Sequence, residues 1–145
     1  MEQYFALLRQ CPLFQGISPQ ELSQMLPCLG TRHMQVKKHQ MIFRAGDPAR
    51  WVGLVLSGAV HVIQEDYYGN RSIVSTFQPP QLFGEAFACA GVASLPVSVE
   101  AAQDSTLLLL DCQRVIRTCS DACAFHQRLL SNLLHVVAAK NLLLT

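Results

Sequence analysis

The stretch QLFGEAFACAGVASLPVSVEA, residues 81–101, decides the fold because a strand end, a sharp turn, a loop of small residues and a new strand follow one another in it. The apolar pair at 82–83 runs into Gly84 and Glu85, which predicts a turn that opens a short helix. Such a turn points free backbone N–H groups at whatever lies in front of it. The small residues at 88–94 leave room for a small guest. The stretch predicts either a ligand cradle or a tight crossover in a β-sandwich.

The composition is that of one compact domain. The chain has 145 residues, of which 50% are hydrophobic and 14% are charged, enough for a substantial core. Its net charge of +1 gives no basic field for capturing nucleic acid. No signal peptide and no apolar run long enough for a membrane span is visible. We therefore expect a cytoplasmic protein that does not itself bind DNA.

Turn residues about a dozen positions apart predict a mainly β chain with flanking helices, an antiparallel sandwich or jelly roll. A short amphipathic helix is expected at residues 2–9. A second helix is signalled by Ser18 as N-cap, Pro19 at the first helical position and Glu21 in a capping box. The expected strands cover residues 33–37, 41–44, 51–56, 60–64, 72–77, 97–102 and 106–111, with a strand end at 82–83. A short helix over residues 111–118 should follow.

A long helix is predicted from Asp121, its expected N-cap, to Leu144. Its apolar stripe is wider than one small sandwich can cover, so the helix is expected to pair with a second copy of itself. The alternative is a helix folded back on its own sheet. The residues expected in the homodimer interface are Phe125, Leu129, Leu130, Leu133, Leu134, Val136, Val137 and Leu144.

Several motifs in succession carry a family resemblance. They are Ala45-Gly46-Asp47-Pro48, the run from Val52 to Gly58, Gly69 and Phe83-Gly84-Glu85. In this order, followed by a long helix, they resemble the effector-binding domain of the Crp/Fnr family of bacterial transcription regulators. The resemblance implies an eight-stranded roll of the cyclic-nucleotide-binding type that holds a small-molecule effector, and a long helix that forms the dimer interface. It also implies a winged helix-turn-helix that reads DNA.

The resemblance divides the chain into an effector-binding roll with N-terminal helices, residues 1–120, and a dimerisation helix, residues 121–145. Nothing after Thr145 supplies the DNA-reading domain, so we expect a sensor module taken from a longer regulator, in contact with DNA only through that missing C-terminal domain. A regulator domain of this kind is not an enzyme, and no catalytic residue is proposed.

The sequence departs from the nucleotide-binding members at the phosphate. Their cassette begins with a Gly-Glu pair, matched by Gly84 and Glu85, and continues with an Arg that neutralises the cyclic phosphate. Here Leu95-Pro96-Val97 occupies that place, and no Lys or Arg lies between Ser72 and Gln113. A bidentate Arg is the usual partner of a buried phosphate. The sequence therefore favours a small, largely apolar or aromatic effector over cyclic AMP or cyclic GMP, which remain the alternative.

The predicted ligand-binding set combines the turn, the loop and the end of the long helix. Lys140, if it turns inward, can pair with Glu85 or with an acid of the ligand; otherwise it is a solvated lysine near the chain end. The expected ligand-binding residues are Phe83, Gly84, Glu85, Ala86, Phe87, Leu95, Pro96, Val97, Ser98, Lys140 and Asn141.

The sequence offers few residues that could bind a cofactor or a metal ion. Haem sensing could use Cys89 as an axial ligand, but no histidine lies between His61 and His126 to supply a second one. A cupin enzyme needs His-x-His on one strand, and His61 stands alone. The six cysteines do not form C-x-x-C pairs, and only Cys119 and Cys123 come close in sequence. We therefore expect no metal and no cofactor, with mostly buried, reduced thiols.

Overall fold

The computed structural model describes residues 2–117 and 124–144, and it consists of two antiparallel sheets with helices on the outer face of one. The strands are β1 Arg32–Val36, β2 Met41–Phe43, β3 Trp51–Ser57, β4 Val60–Glu65, β5 Arg71–Phe77, β6 Leu82–Phe83, β7 Ser98–Ala101 and β8 Ser105–Asp111. The helices are α1 Phe5–Gln10, α2 Pro19–Met25, α3 Glu85–Cys89, α4 Cys112–Ile116 and α5 Ala124–Leu144, with 3-10 turns at Glu2–Tyr4, Pro12–Phe14 and Leu26–Leu29.

Each sheet has four strands. Their orders are β1-β8-β3-β6 and β2-β7-β4-β5, and neighbouring strands pair antiparallel throughout. Non-consecutive strands are neighbours because the chain crosses repeatedly between the sheets. The predicted mainly β roll with flanking helices is confirmed.

Strands β3 and β8 are buried on both faces. Val55 and Leu109 point into the core between the sheets, whereas Leu54 and Leu108 join a second core beneath the helices. A strand covered on both faces carries apolar residues at consecutive positions. This double burial explains the uninterrupted leucine run of β8, which shows no period-2 alternation.

The N-terminal helices pack on the outer face of the β1-β8-β3-β6 sheet. Ser18 and Glu21 form the predicted capping box: the Glu21 N–H donates to Ser18 Oγ at 3.2 Å, and the Ser18 N–H donates to Glu21 Oε1 at 3.1 Å. The helix expected at residues 2–9 begins as a 3-10 turn and becomes α-helical at Phe5. The short helix expected after β8 is α4, capped by Asp111.

Helix α5 lies against the N-terminal helices. Arg128 Nη1 donates to the Gly16 carbonyl at 2.6 Å, and Asn132 Nδ2 donates to the Leu13 and Gln15 carbonyls at 2.9 and 2.8 Å. The predicted N-cap Asp121 and the expected boundary between residues 120 and 121 lie outside the described residues. Within the described ranges, no helix has the length and apolarity that crossing a bilayer requires.

Candidate functional site

The turn at Gly84 is the origin of the candidate site. Gly84 adopts φ 78°, a left-handed conformation that side-chain-bearing residues rarely take, and an added Cβ would lie 3.2 Å from the Trp51 carbonyl oxygen. Strand β6 ends immediately before it, paired with Gly53 and Leu54 of β3, and α3 begins immediately after it. The predicted strand, turn and short helix are all present.

Phe83 was expected to contact the ligand; its side chain is fully buried, and that contact stays a prediction. Its ring lies in the core between the two sheets with no exposed surface. A Cβ on Gly53 would come within 2.2 Å of the ring, so the glycine makes room for it. Phe83 therefore anchors the turn to the core.

Lys140 turns inward and pairs with Glu85, which was one of the two expectations for this lysine. Glu85 is only 3% exposed, and its Oε1 accepts a hydrogen bond from Lys140 Nζ. Lys140 Nζ also donates to the Leu82 carbonyl at 2.9 Å and lies 5.1 Å from the centroid of the Phe77 ring. A single cation from α5 thus binds β6, α3 and β5 together.

The second carboxylate oxygen of Glu85 is buried and has no hydrogen-bond partner in the described part of the chain. Burying a carboxylate is costly unless it is paired and hydrogen-bonded. Lys140 therefore supplies the partner that compensates for the burial of Glu85. Burial also raises the pKa of the nearby Cys11 thiol to about 11, with Lys140 opposing and Glu85 adding to that rise.

A cavity of about 20 Å³ lies beside the Gly84 turn. That volume holds about one water molecule, so the loop after α3 does not leave the open space that its small residues predicted. The loop is closed onto the turn before β3: the Gly46 N–H donates to the Leu95 carbonyl at 2.8 Å, and the Leu95 N–H donates to the Asp47 carbonyl at 2.8 Å. A guest larger than a water molecule needs these lining residues to move apart.

The predicted ligand-binding residues divide between the cavity and other places. Gly84, Phe87, Leu95 and Val97 line the cavity. Ser98 is buried, and its Oγ accepts a hydrogen bond from the Ala45 N–H at 2.9 Å. This bond joins the start of β7 to the turn that follows β2. The remaining members of the set are exposed and do not line the cavity; they are Ala86, Pro96 and Asn141.

Sequence reasoning missed Arg50. Its guanidinium stacks 4.6 Å from the Trp51 ring centroid, and its Nη2 and Nε donate to Asp111 Oδ2 at 3.0 and 3.2 Å. Among the described residues that line the cavity, Arg50 is the one with a charged side chain. Arg50 lies outside residues 72–113, the window without Lys or Arg, and the antiparallel pairing of Trp51 with Asp111 brings it to the site.

The other cavity residues that the sequence did not indicate are apolar and come from strands of both sheets and from the turn before β3. They are Phe43, Pro48, Ala49, Trp51, Val62 and Val99.

The two faces of α5 have different environments. Leu129, Leu133 and Val136, which were expected in a contact between copies, are buried in the chain's own core, and their place in such a contact stays a prediction. Leu134 is 72% exposed on the opposite face. The apolar stripe therefore has one face folded back on the domain, as the alternative expected, and one exposed face, whose pairing with a second copy stays a prediction.

The free face of α5 borders a groove of about 490 Å³. Its lining is predominantly apolar and comes from α3, α4 and α5: Cys89, Ile116, Gln127, Leu130, Ser131, Leu133, Leu134 and Val137. Leu130, Leu134 and Val137, all expected in the interface, thus lie together on one accessible surface. The side chains of Phe125 and Leu144 lie outside the described residues.

The cysteines are dispersed. Cys11 is buried, Cys28 is exposed, and Cys89 and Cys112 are in contact with each other; Cys119 and Cys123, the close pair in sequence, lie outside the described residues. No group of three or more His, Cys, Asp or Glu side chains in residues 2–117 and 124–144 is arranged to hold a metal ion. Cys89, considered as a haem ligand, faces the α5 groove.

Comparison with known proteins assigns the family. The sequence model of the cyclic nucleotide-binding domain matches residues 33–121. A search of curated protein sequences finds no significant match. Among solved structures, the Thermus thermophilus catabolite activator protein is 26% identical with a TM-score of 0.69, over 90% of this chain and 58% of that protein.

Two further structures share the fold at lower identity. The sensor domain of the transcriptional regulator DNR from Pseudomonas aeruginosa is 22% identical with a TM-score of 0.73, over 97% of this chain and 89% of that domain. The regulatory subunit of a cAMP-independent protein kinase A from Trypanosoma brucei is 19% identical with a TM-score of 0.73, over 96% of this chain and 46% of that protein. The chain belongs to the cyclic nucleotide-binding domain family, and its structural neighbours include transcription regulators, as the resemblance to the Crp/Fnr family predicted.

Proposed function

We propose that this chain is the effector-sensing and dimerisation domain of a Crp/Fnr-type transcription regulator, and that its effector is a small molecule other than a cyclic nucleotide. The observation that carries this proposal is Leu95. Where nucleotide-binding relatives place the phosphate-binding Arg, Leu95 is 8% exposed and lines an apolar cavity. A phosphate placed there would lose its water without gaining the cassette's arginine, and Arg50, the charged residue of the described cavity lining, is already paired with Asp111.

The position of Glu85 supports the same conclusion. The resemblance assigns this residue to a ribose hydroxyl, but here its carboxylate is bound by Lys140 from within the chain. A ribose hydroxyl would have to share this carboxylate with Lys140 and bond to its second oxygen, Oε2, which has no partner among the described residues. The regulatory subunit of the cAMP-independent protein kinase A from Trypanosoma brucei is a precedent for this fold working without that ligand.

The chemistry of the cavity indicates the class of effector. Phe43, Phe87, Val62 and Val99 offer apolar surface, and Arg50 offers a guanidinium that is 54% exposed although paired with Asp111. A small aromatic or branched apolar acid would bury its body among these side chains and compete with Asp111 for Arg50. Such a guest must first open the loop that Leu95 closes.

Effector binding would be transmitted through Lys140. Movement of the loop and of α3 displaces Glu85, and Glu85 holds the C-terminal part of α5 through Lys140. Because α5 is the proposed dimerisation helix, a change at the cavity alters the geometry of the dimer. DNA reading is then the task of a further domain of the regulator.

The partner proposed for the free face of α5 is a second copy of the chain. Leu130, Leu134 and Val137 recur at spacings of three and four, the pattern of a helix seam. An exposed apolar surface of this kind marks an interaction site. A homodimer buries it without any additional component.

The experiment is a thermal-shift screen of the purified chain. Small aromatic and branched aliphatic carboxylates are compared with cyclic AMP and cyclic GMP, each at about 1 mM, because a ligand that binds only the folded state raises the melting temperature. We expect a shift with a member of the carboxylate set that is lost in Arg50→Gln, and none with the nucleotides. A shift with the cyclic nucleotides alone would contradict the proposal.

A further inference from the structure

Two cysteines lie side by side at the edge of the site. Cys89 ends α3 and Cys112 begins α4, and their Sγ atoms are 3.8 Å apart in a thiol hydrogen bond. Both are free thiols. Cys112 is buried, whereas Cys89 is partly exposed and lines the groove along α5. The Cys89 sulfur is therefore accessible from the groove, and the buried Cys112 sulfur is in contact with it.

The contact gives the two sulfurs different chemistry. The hydrogen bond from Cys112 lowers the pKa of Cys89 from its ordinary 9.0, and the same hydrogen bond, followed by burial, raises the pKa of Cys112. The thiolate is the nucleophilic form of cysteine. The accessible sulfur is thus the one that ionises more readily.

We propose that Cys89 and Cys112 are a redox-active pair in which Cys89 reacts with a small hydroperoxide and Cys112 completes a disulfide. The Cys89 thiolate attacks the peroxide, the O–O bond breaks, and Cys89 becomes a sulfenic acid while the other oxygen leaves as hydroxide or alkoxide. The Cys112 thiol then attacks the sulfenic sulfur, an S–S bond forms and water leaves. The pair loses two electrons in total, and the hydroperoxide gains them.

The disulfide would tie α3 to α4. The sulfurs must approach by about 2 Å to reach bonding distance. Because α3 starts at the Gly84 turn, this movement pulls on the helix that carries Glu85, and through Lys140 on α5. The oxidised pair would hold the site in one arrangement. The inference concerns the thiols alone and does not depend on the effector proposed above.

The sequence makes the test direct. No Lys or Arg lies between Ser72 and Gln113, so trypsin releases residues 72–114 as one peptide that contains Cys89 and Cys112 and no other cysteine. Dilute full-length protein is treated with equimolar hydrogen peroxide, alkylated with N-ethylmaleimide, digested and analysed by mass spectrometry. Dilution is needed because a second copy on α5 would cover the groove that Cys89 lines.

The expected product is peptide 72–114 without alkylation and lighter by two hydrogen atoms, converted by dithiothreitol to the doubly alkylated form. In Cys112→Ser, dimedone should label Cys89 as a trapped sulfenic acid. Exposed Cys28 is the internal control and should remain alkylated at the same peroxide dose. Full alkylation of Cys89 and Cys112 in the wild-type peptide, or oxidation of Cys28 ahead of them, would overturn the proposal, and this wild-type result stands even if a variant fails to fold.

Discussion

At the scale of single residues, Lys140 is the side chain on which the site depends. Its ammonium group neutralises a carboxylate that is otherwise buried without a counter-charge. Removing one partner of such a pair costs several kcal/mol in a dry interior, and less where, as here, the lysine side chain is 39% exposed.

Lys140→Met should therefore lower the free energy of unfolding by about 2 kcal/mol. Chemical denaturation followed by fluorescence measures the change, and Lys37→Met, at an exposed position, is the matched control with an expected effect within about 0.5 kcal/mol. Adding Glu85→Gln should recover much of the loss, because the orphaned charge is then gone. Equal, small effects of both lysine variants would contradict the assigned role of Lys140.

Cys89 offers a pH-dependent prediction. Because the Cys112 hydrogen bond lowers the Cys89 pKa from its ordinary 9.0, its alkylation rate should rise with pH with a midpoint below pH 9.0. Iodoacetamide kinetics followed on peptide 72–114 measure the midpoint. Cys112→Ala removes the hydrogen bond, and the Cys89 midpoint should then move up. A midpoint that is unaffected by the substitution would show that Cys112 does not tune Cys89.

The residues that could be predicted from sequence are those whose partners are local. Ser18 and Glu21 are three positions apart, and their capping box followed from spacing alone. Lys140 and Glu85 are 55 positions apart, so the sequence left both the buried and the solvated lysine open. Arg50 could not be assigned to the site, because its place depends on the register of β3 against β8.

At the scale of elements, α5 carries two apolar faces, one buried and one exposed. Leu133 is buried in the domain core, and Leu134, the next residue, is exposed. Sequence periodicity predicted the width of the stripe but not which half faces inward, because both halves are apolar and the choice depends on the packing of the Pro12–Phe14 turn against α5.

Leu134→Glu should convert the proposed dimer to a folded monomer. A charge at the centre of an apolar seam loses hydration on association, whereas in the free chain it remains in water. Sedimentation velocity with circular dichroism on the same samples measures both mass and folding. Leu133→Glu is the control, since a charge in the core should unfold the chain instead of only separating copies.

A Leu134→Glu protein with the mass of the wild-type dimer would contradict the helix seam.

The strands were predictable because turn residues punctuate them, and their limits fall within a residue or two of the expected ones. The run of leucines in β8 did not indicate which side chains point to which face of the sheet, because both faces are buried. The closed state of the loop after α3 could not be predicted, since small residues allow an open loop as well as one bonded to the turn at residues 46–47.

At the scale of the whole molecule, the charge distribution argues against direct contact with nucleic acid. The net charge is +1, and tight DNA binding requires several phosphate contacts from clustered Lys and Arg. The chain alone should show no band shift at physiological salt with any promoter fragment. Nanomolar, sequence-specific binding by this chain would contradict the assignment of DNA reading to a further domain.

Absorption spectroscopy tests the expectation that no haem is required. The protein purified from cells supplied with iron and haem precursors should show no Soret band. A stoichiometric Soret band, lost in Cys89→Ser, would establish the haem alternative.

The central claim, that this member of the cyclic nucleotide-binding domain family does not sense a cyclic nucleotide, is tested most directly by isothermal titration with cyclic AMP. With Leu95 at the phosphate position and Lys140 bound to Glu85, we predict no heat of binding up to about 1 mM, a limit near 4 kcal/mol of binding free energy. Micromolar binding by the unmodified chain would contradict the account, because a buried phosphate would then be neutralised without the arginine that Leu95 replaces.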